Sequence, residues 1–283
     1  VSILYGFYRA DSGDISINHS GIIQTSGLFS SGMLVQSIGG GGGLAGSING
    51  AVSLGFKDSE KPTSSQSGEV SVETSGGITT SGNSSPALVA QSIGGGGGWV
   101  AQADGQVDLG SYSVGAGSNL TSGNVLVSNS GTISTVGSNS TGILAQSIAG
   151  GGGFVGINQT SYRTILGSTL SGTGNSGTVD VSNVGAIATS GDNSAALIAQ
   201  SIAGGGGSAA LSGGFEGPII DGGLYLGSNS VESKAGNVTV TNQSNLITSG
   251  NGSPSLLVQS IGGGGGAVQS LSNSSTPGIS LGF

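Results

Sequence analysis

Short bursts of alternating apolar and polar residues run along the chain and return in the same order five times. In the second copy Val70 and Val72 flank one polar residue, Ile78 and Thr80 follow after a turn, and Leu88-Val89-Ala90-Gln91-Ser92-Ile93 forms a longer apolar cluster. A period of two over so few positions predicts short half-buried strands, not helices. The equivalent pairs are Ile15/Ile17, Val125/Val127, Val179/Val181 and Val238/Val240, then Ile23/Thr25, Ile133/Thr135, Ile187/Thr189 and Leu246/Thr248. Polar turns such as Asn129-Ser130-Gly131 separate them. A glycine run follows each apolar cluster, and a fourth strand closes on Leu-Gly at Leu54, Leu109, Leu166, Leu226 and Leu281.

The clearest marker of the repeat is Gln-Ser-Ile followed by Gly or Ala and more Gly. It begins at Gln36, Gln91, Gln146, Gln200 and Gln259, at intervals of 55, 55, 54 and 59 residues. A Gly always lies 23 positions before the Gln (Gly13, Gly68, Gly123, Gly177, Gly236), with no insertion between them. Length varies only after the glycines, so a fixed block holds register while a variable block loops out. Strands of three to six residues cannot bury a core alone, but stacked coils can cover one another. The expected fold is therefore all-β, a parallel β-helix (β-solenoid) of five repeats, approximately 8–55, 56–110, 111–167, 168–227 and 228–283, forming one array over 1–283. A 55-residue unit looks too long for one coil, so two or three coils per repeat are expected. That gives a rod of about 10–15 coils, roughly 50–70 Å long at the spacing of paired strands. Both termini fall at the same phase of the repeat without polar caps, which predicts either an excised segment of a longer chain or a subunit that stacks end to end.

Composition narrows the chemistry. Of 283 residues, 61 are Gly and 53 are Ser, and charged residues are 6%. So much Gly excludes a helical protein, and the low charge with a positive mean hydropathy argues against simple disorder. A net charge of -8 offers no basic face, so no nucleic-acid partner is expected. The lack of Cys removes disulfides and thiolate metal sites. No apolar run is long enough for a membrane helix, so this segment is not expected to be membrane-embedded. The start, Val1 to Phe7, does not read as a signal peptide. A calcium-binding nonapeptide array is excluded because no Gly run is followed by the required Asp.

No catalytic residue, metal site or cofactor is expected. His19 is the only histidine and shares a column with Thr74, Asn129, Asn183 and Asn242, which read as exposed turn residues. The acid pairs Asp104 with Asp108, Asp58 with Glu60, and Glu69 with Glu73 each occur in one copy only. They read as solubilising charges; a carbohydrate-active enzyme would need Asp104 and Asp108 to face a groove with a third acid. The glycine runs lack the Lys-Ser/Thr of a phosphate loop. Gly41, Gly96, Gly152, Gly206 and Gly264 are candidates for a packing or assembly surface, because recurrent Gly signals close backbone approach. Packing within the chain, a flat face between chains and a ligand site all remain open. Trp99 and Phe154, which follow two of the runs, are expected to cap a local core; stacking on sugar rings is the alternative. Each Gln-Ser-Ile triplet (Gln36, Ser37, Ile38; Gln91, Ser92, Ile93; Gln146, Ser147, Ile148; Gln200, Ser201, Ile202; Gln259, Ser260, Ile261) is the structural motif of its repeat. With two or three coils between copies, the Gln side chains would lie about 10–14 Å apart, too far for a ladder, and would satisfy backbone groups instead.

The string Leu-x-x-Gln-Ser-Ile-Gly-Gly-Gly-Gly-Gly, with Val-x-Val-x-Asn and Ile-x-Thr-x-Gly upstream, resembles repeats in the passenger regions of large Gram-negative autotransporters and related haemagglutinin-like adhesins. The resemblance covers essentially the whole chain, in a scaffold motif that carries no catalytic residue. It implies export across both membranes, a cell-surface or released location, and a β-solenoid stalk active in adhesion, aggregation or biofilm. The membrane barrel of a whole autotransporter is absent from this sequence, as an excised window would have it. The implied partners are neighbouring repeats or other copies of the chain, and a host surface, abiotic surface or polysaccharide. A self-assembling extracellular filament or sheath subunit, stacking end to end or through its glycine faces, is the second reading. The Asn-x-Ser/Thr triplets carry no weight in so Ser- and Asn-rich a chain.

Overall fold

The computed structural model describes residues 2–3, 10–55, 64–103, 105–110, 119–157, 163–167, 174–211, 224–227, 232–270 and 279–281. All its regular elements are strands, and every pairing is parallel. The chain is a parallel β-solenoid.

Five sheets run along the stack, each taking one strand per repeat. The valine sheet holds Ile15–His19, Val70–Thr74, Val125–Asn129, Val179–Asn183 and Val238–Asn242. The threonine sheet holds Ile23–Thr25, Ile78–Thr80, Ile133–Thr135, Ile187–Thr189 and Leu246–Thr248. The glutamine sheet holds Met33–Gly39, Leu88–Gly94, Ile143–Ala149, Leu197–Ile202 and Leu256–Ile261. The glycine sheet holds Gly42–Ile48, Gly97–Ala103, Gly152–Ile157, Gly206–Leu211 and Gly265–Ser270. The leucine sheet has six strands: Ser2–Ile3, Val52–Leu54, Val107–Leu109, Thr164–Leu166, Leu224–Leu226 and Ile279–Leu281. Among the described residues, a short extra pair, Ser64–Gln66 with Asn119–Thr121, joins two repeats.

Adjacent repeats pair directly: Gln91 lies beside Gln36 on one side and Gln146 on the other. One repeat is therefore one coil, and the expectation of two or three coils per repeat is wrong. Five coils at about 4.8 Å give a stack of about 24 Å, not 50–70 Å. A whole repeat fits in one coil because the chain folds back through layers instead of following a single perimeter. The valine and threonine sheets pack on one face of the glutamine sheet, through Val70, Val72 and Ile78 against Leu88 and Ala90. The glycine sheet packs on its other face, with Trp99 and Ala101 against Val89. The leucine sheet closes the far side, where Val107 and Leu109 meet Val100 and Ala103.

These layers explain the two sequence patterns. Valine strands face solvent on one side, so Val125–Asn129 alternates buried and exposed along its length. Glutamine strands are covered on both faces, and Leu88–Gly94 is buried at every position, which suits a continuous run over an alternating one. The turn between the threonine and glutamine strands passes through the left-handed region in every coil, at Phe29, Ser84, Asn139, Asn193 and Gly252, of which the last three are residue types that accept it. The split of the predicted fourth strand into a glycine strand and a leucine strand follows from the same folding back.

Candidate functional site

The residues singled out by the repeat converge on the reversal between the glutamine and glycine strands. Gln91 is fully buried there. Its Nε2 donates to Gln146 Oε1 at 2.6 Å, and its Oε1 accepts from Gln36 Nε2 at 2.7 Å. Gln146 continues to Gln200 at 2.7 Å, and Gln200 to Gln259 at 2.6 Å. The glutamines thus form an unbroken amide ladder across all five coils. The expectation that they lie too far apart fails because the coils are one repeat apart. In low-dielectric surroundings such a chain of satisfied amides is stabilising, whereas an unpaired member is costly.

The serines do something different. Ser92 Oγ donates to Gly68 O at 2.7 Å and accepts from Gly123 N–H at 2.9 Å. Gly68 is the glycine 23 positions before Gln91, and Gly123 is its equivalent one coil on. Ser37, Ser147 and Ser201 repeat the arrangement with Gly13 and Gly68, Gly123 and Gly177, and Gly177 and Gly236. This clamp accounts for the fixed 23-residue spacing: an insertion would pull the glycine backbone out of reach of its serine. Ile93, Ile148 and Ile202 are fully buried and form a small apolar column, flanked by the partly buried Ile38 and Ile261.

The glycine runs need glycine for two reasons. Gly95 and Gly96 reverse the chain at φ +95° and +83°, and Gly97 and Gly98 begin the next strand at +128° and +135°, conformations essentially reserved for Gly. A Cβ on Gly97 would also overlap the carbonyl oxygen of Gly152. The candidates do not share one column: Gly41, Gly96 and Gly264 lie in the reversal, whereas Gly152 and Gly206 open glycine strands. A Cβ on Gly96 would come within 2.7 Å of Gly55 Cα, and one on Gly151 equally close to Gly110 Cα. The glycine of each Leu-Gly pair is therefore the floor on which the next coil's reversal rests.

Trp99 and Phe154 are buried and stacked on each other, with ring centroids 4.0 Å apart and planes at 7°. Neither ring faces solvent. In the fourth coil the column becomes Ser208, whose Oγ donates to Gln200 Oε1 at 2.9 Å, so aromatic column and glutamine ladder face each other across the reversal.

Two columns read differently from expectation. His19, Thr74, Asn129, Asn183 and Asn242 are not turn residues; they end the valine strands, and Thr74, Asn129 and Asn183 are fully buried. Asn129 Nδ2 donates to Asn183 Oδ1, and Asn183 to Asn242, both at 2.7 Å. His19 Nδ1 lies 3.2 Å from Thr74 Oγ1, as the first member of this column. The second column, Ser30, Ser85, Ser140, Ser194 and Ser253, was not recognised in the sequence. Ser85 Oγ donates to Gly27 O and accepts from Ser30 N–H, and the later serines do the same. Its signal is plain once sought: Ser stands six positions before the Gln in every repeat.

The acids do not gather. Asp58, Glu60 and Asp104 lie outside the described residues. Asp108 Oδ2 accepts from Gln106 Nε2 at 2.8 Å, and Glu69 Oε2 from Asn124 Nδ2 at 3.2 Å. Glu73 points outward on its strand. Among the described residues no three His, Asp or Glu side chains group as a metal site would require. Compared with known proteins, the chain matches no family model, no curated protein and no solved structure.

Proposed function

We propose that this chain is a non-enzymatic structural and adhesive segment of a bacterial surface protein, working outside the cell in attachment, aggregation or biofilm. One observation carries the reading. The polar side chains that recur in register (Gln, Ser and Asn) are hydrogen-bonded between or within coils and largely buried. The repeated chemistry holds the stack together and, among the described residues, leaves no recurring reactive group at the surface. What faces outward varies from coil to coil: Ser71 and Glu73, then Leu126 and Ser128, then Asp180 and Ser182. A surface of many weak, dissimilar contacts suits multivalent attachment better than one specific ligand. The resemblance to autotransporter passengers and haemagglutinin-like adhesins supplies the extracellular setting.

The test displays the chain on bacterial cells and on beads, and measures clumping and retention on glass, on polysaccharide and on host cells. Protease shaving of intact producing cells locates the native protein. Retention above an empty display control, with shaving removing the protein, is the expected result. No retention on any surface, or a protein protected until lysis, defeats the reading.

A further inference from the structure

One side of the stack is a continuous outer wall. In the third coil buried positions alternate with more exposed ones from Val125 to Gly137 without a break, through the valine strand, the link and the threonine strand. The outward residues form six columns, which run from Leu126 to Val136 in that coil. All six lie inside the block that never carries an insertion, so no loop interrupts the wall. Its outward residues are mostly Ser, Thr, Ala and Gly, and none is Lys, Arg or aromatic. Inner coils nevertheless carry three exposed apolar side chains on it: Leu126 (38%) and Val136 (55%) in the third, and Val184 (49%) in the fourth. Both coils are paired on each side, so this exposure belongs to the wall and not to an end of the stack.

The order of residues across the wall complements a copy of itself. A two-fold axis along the stack, passing between the columns of Val184 and Ala186, lays each coil over the same coil of a second copy and reverses the order of columns. Leu126 then meets Val136, and Val184 meets Ala186, so all three apolar side chains are covered by apolar ones. The two acids of the wall meet hydroxyls. Glu73 faces Thr79, and Asp180 faces Ser190, whose bond to Thr135 O within the chain is long at 3.4 Å. A hydroxyl donating to a carboxylate makes a charge-assisted hydrogen bond. Opposed stacks, related by a two-fold along the strands of the third coil, would instead leave Val184 over Ser75.

We propose that two copies of this chain pair side by side through the wall, pointing the same way, coil on like coil. The contact is isologous, each residue making on one copy the contact it receives on the other. Over the described coils the wall is about 24 Å tall and about 36 Å wide, or roughly 800–900 Å² per copy, and a stable interface takes about 800 Å² a side. Short side chains lose little rotamer freedom when covered. The pairing deepens the adhesive reading above, on which its cellular role rests, by naming a second copy as a partner. Copies displayed by one cell point the same way, so the pairing bundles them and raises the valency of the cell's surface.

Sedimentation of the purified 283-residue chain over a concentration series tests this, with a monomer–dimer equilibrium expected. Leu126→Glu and Val136→Lys, each alone, are expected to weaken the dimer at least about tenfold, while far-UV circular dichroism stays as in the parent. The two substitutions in one chain place opposite charges over each other in this register and are expected to restore the dimer. Opposed stacks would set like charge on like charge, so failure of the double variant to pair overturns the proposal. Lys234→Ser, at an exposed position off the wall, is expected to change nothing. A chain monomeric at every concentration overturns the pairing, even where displayed cells adhere, and the adhesive reading then stands without it. A chain that dimerises as described on cells that adhere to nothing supports the pairing and defeats the adhesive reading. If the wall seats a polysaccharide instead, the chain is monomeric and Val136→Lys abolishes retention on that polymer, which also overturns the pairing.

Discussion

Trp99 lies flat on Phe154 one coil away, ring centroids 4.0 Å apart, and both are sealed inside the stack. Trp99 is the only tryptophan, so its fluorescence reports on this contact alone. Phe154→Ala is expected to destabilise the chain by about 3–5 kcal/mol through lost burial and the cavity left behind. Urea unfolding followed by tryptophan emission checks this, and an unchanged midpoint with unshifted emission would contradict the stacked arrangement.

The amide ladder makes a graded prediction. Gln146→Leu deprives Gln91 Nε2 of its acceptor in a buried site, whereas Gln200 Oε1 keeps Ser208 Oγ. The orphaned donor is expected to cost about 1–3 kcal/mol. Gln36→Leu, at the half-exposed end of the ladder, leaves only Gln91 Oε1 without its donor and is expected to cost less. Comparison of the two unfolding midpoints reads the difference directly.

Glycine's two roles can be separated at one column. Gly43 has φ +133° and open space where a Cβ would go; Gly98 has φ +135° and would drive a Cβ into the carbonyl oxygen of Gly43. Gly43→Ala is expected to cost only the backbone strain, about 1–3 kcal/mol. Gly98→Ala adds the collision and is expected to abolish the cooperative thermal transition. Equal effects would mean that the coils are not in this contact.

The first residue of the run offers a natural control. The column reads Gly39, Gly94, Ala149, Ala203 and Gly262, and the extra strands Ser64–Gln66 and Asn119–Thr121 lie against the first two. Gly94→Ala is expected to push Asn119–Thr121 away, since a Cβ would overlap Thr121 O. Amide hydrogen exchange should then accelerate at Ser67, whose N–H bonds to Thr121 O, with protection elsewhere unchanged.

Local order within a coil was legible in the sequence, and the coil itself was not. Val70-x-Val72, Ile78-x-Thr80 and the Leu-Gly endings sit where the period of two places them, because a strand's alternation depends only on its neighbours. Coil size was misjudged because length alone does not reveal a chain that doubles back through four layers. A physical signal was nevertheless present. Coils that stack must resemble each other, and the halves of one repeat do not: one carries Val-x-Val and the other the glycines. Gln91 can pair in kind only with Gln36 and Gln146, which forces adjacency at the full repeat. The Asn129 column was mistaken for a turn because Asn favours turns; its place in a ladder depends on the neighbouring coil, which no local pattern contains.

Because one coil uses a whole repeat yet adds only about 4.8 Å of height, the stack stores chain far more densely than an extended tether. Consecutive coils are joined by a single covalent crossing, so tension between the termini peels them one at a time. Each released repeat of about 55 residues can pay out about 180–200 Å of extended chain. Under load the segment would behave as a ratcheted spool, lengthening in discrete steps and dissipating energy at each one while its remaining coils stay wound.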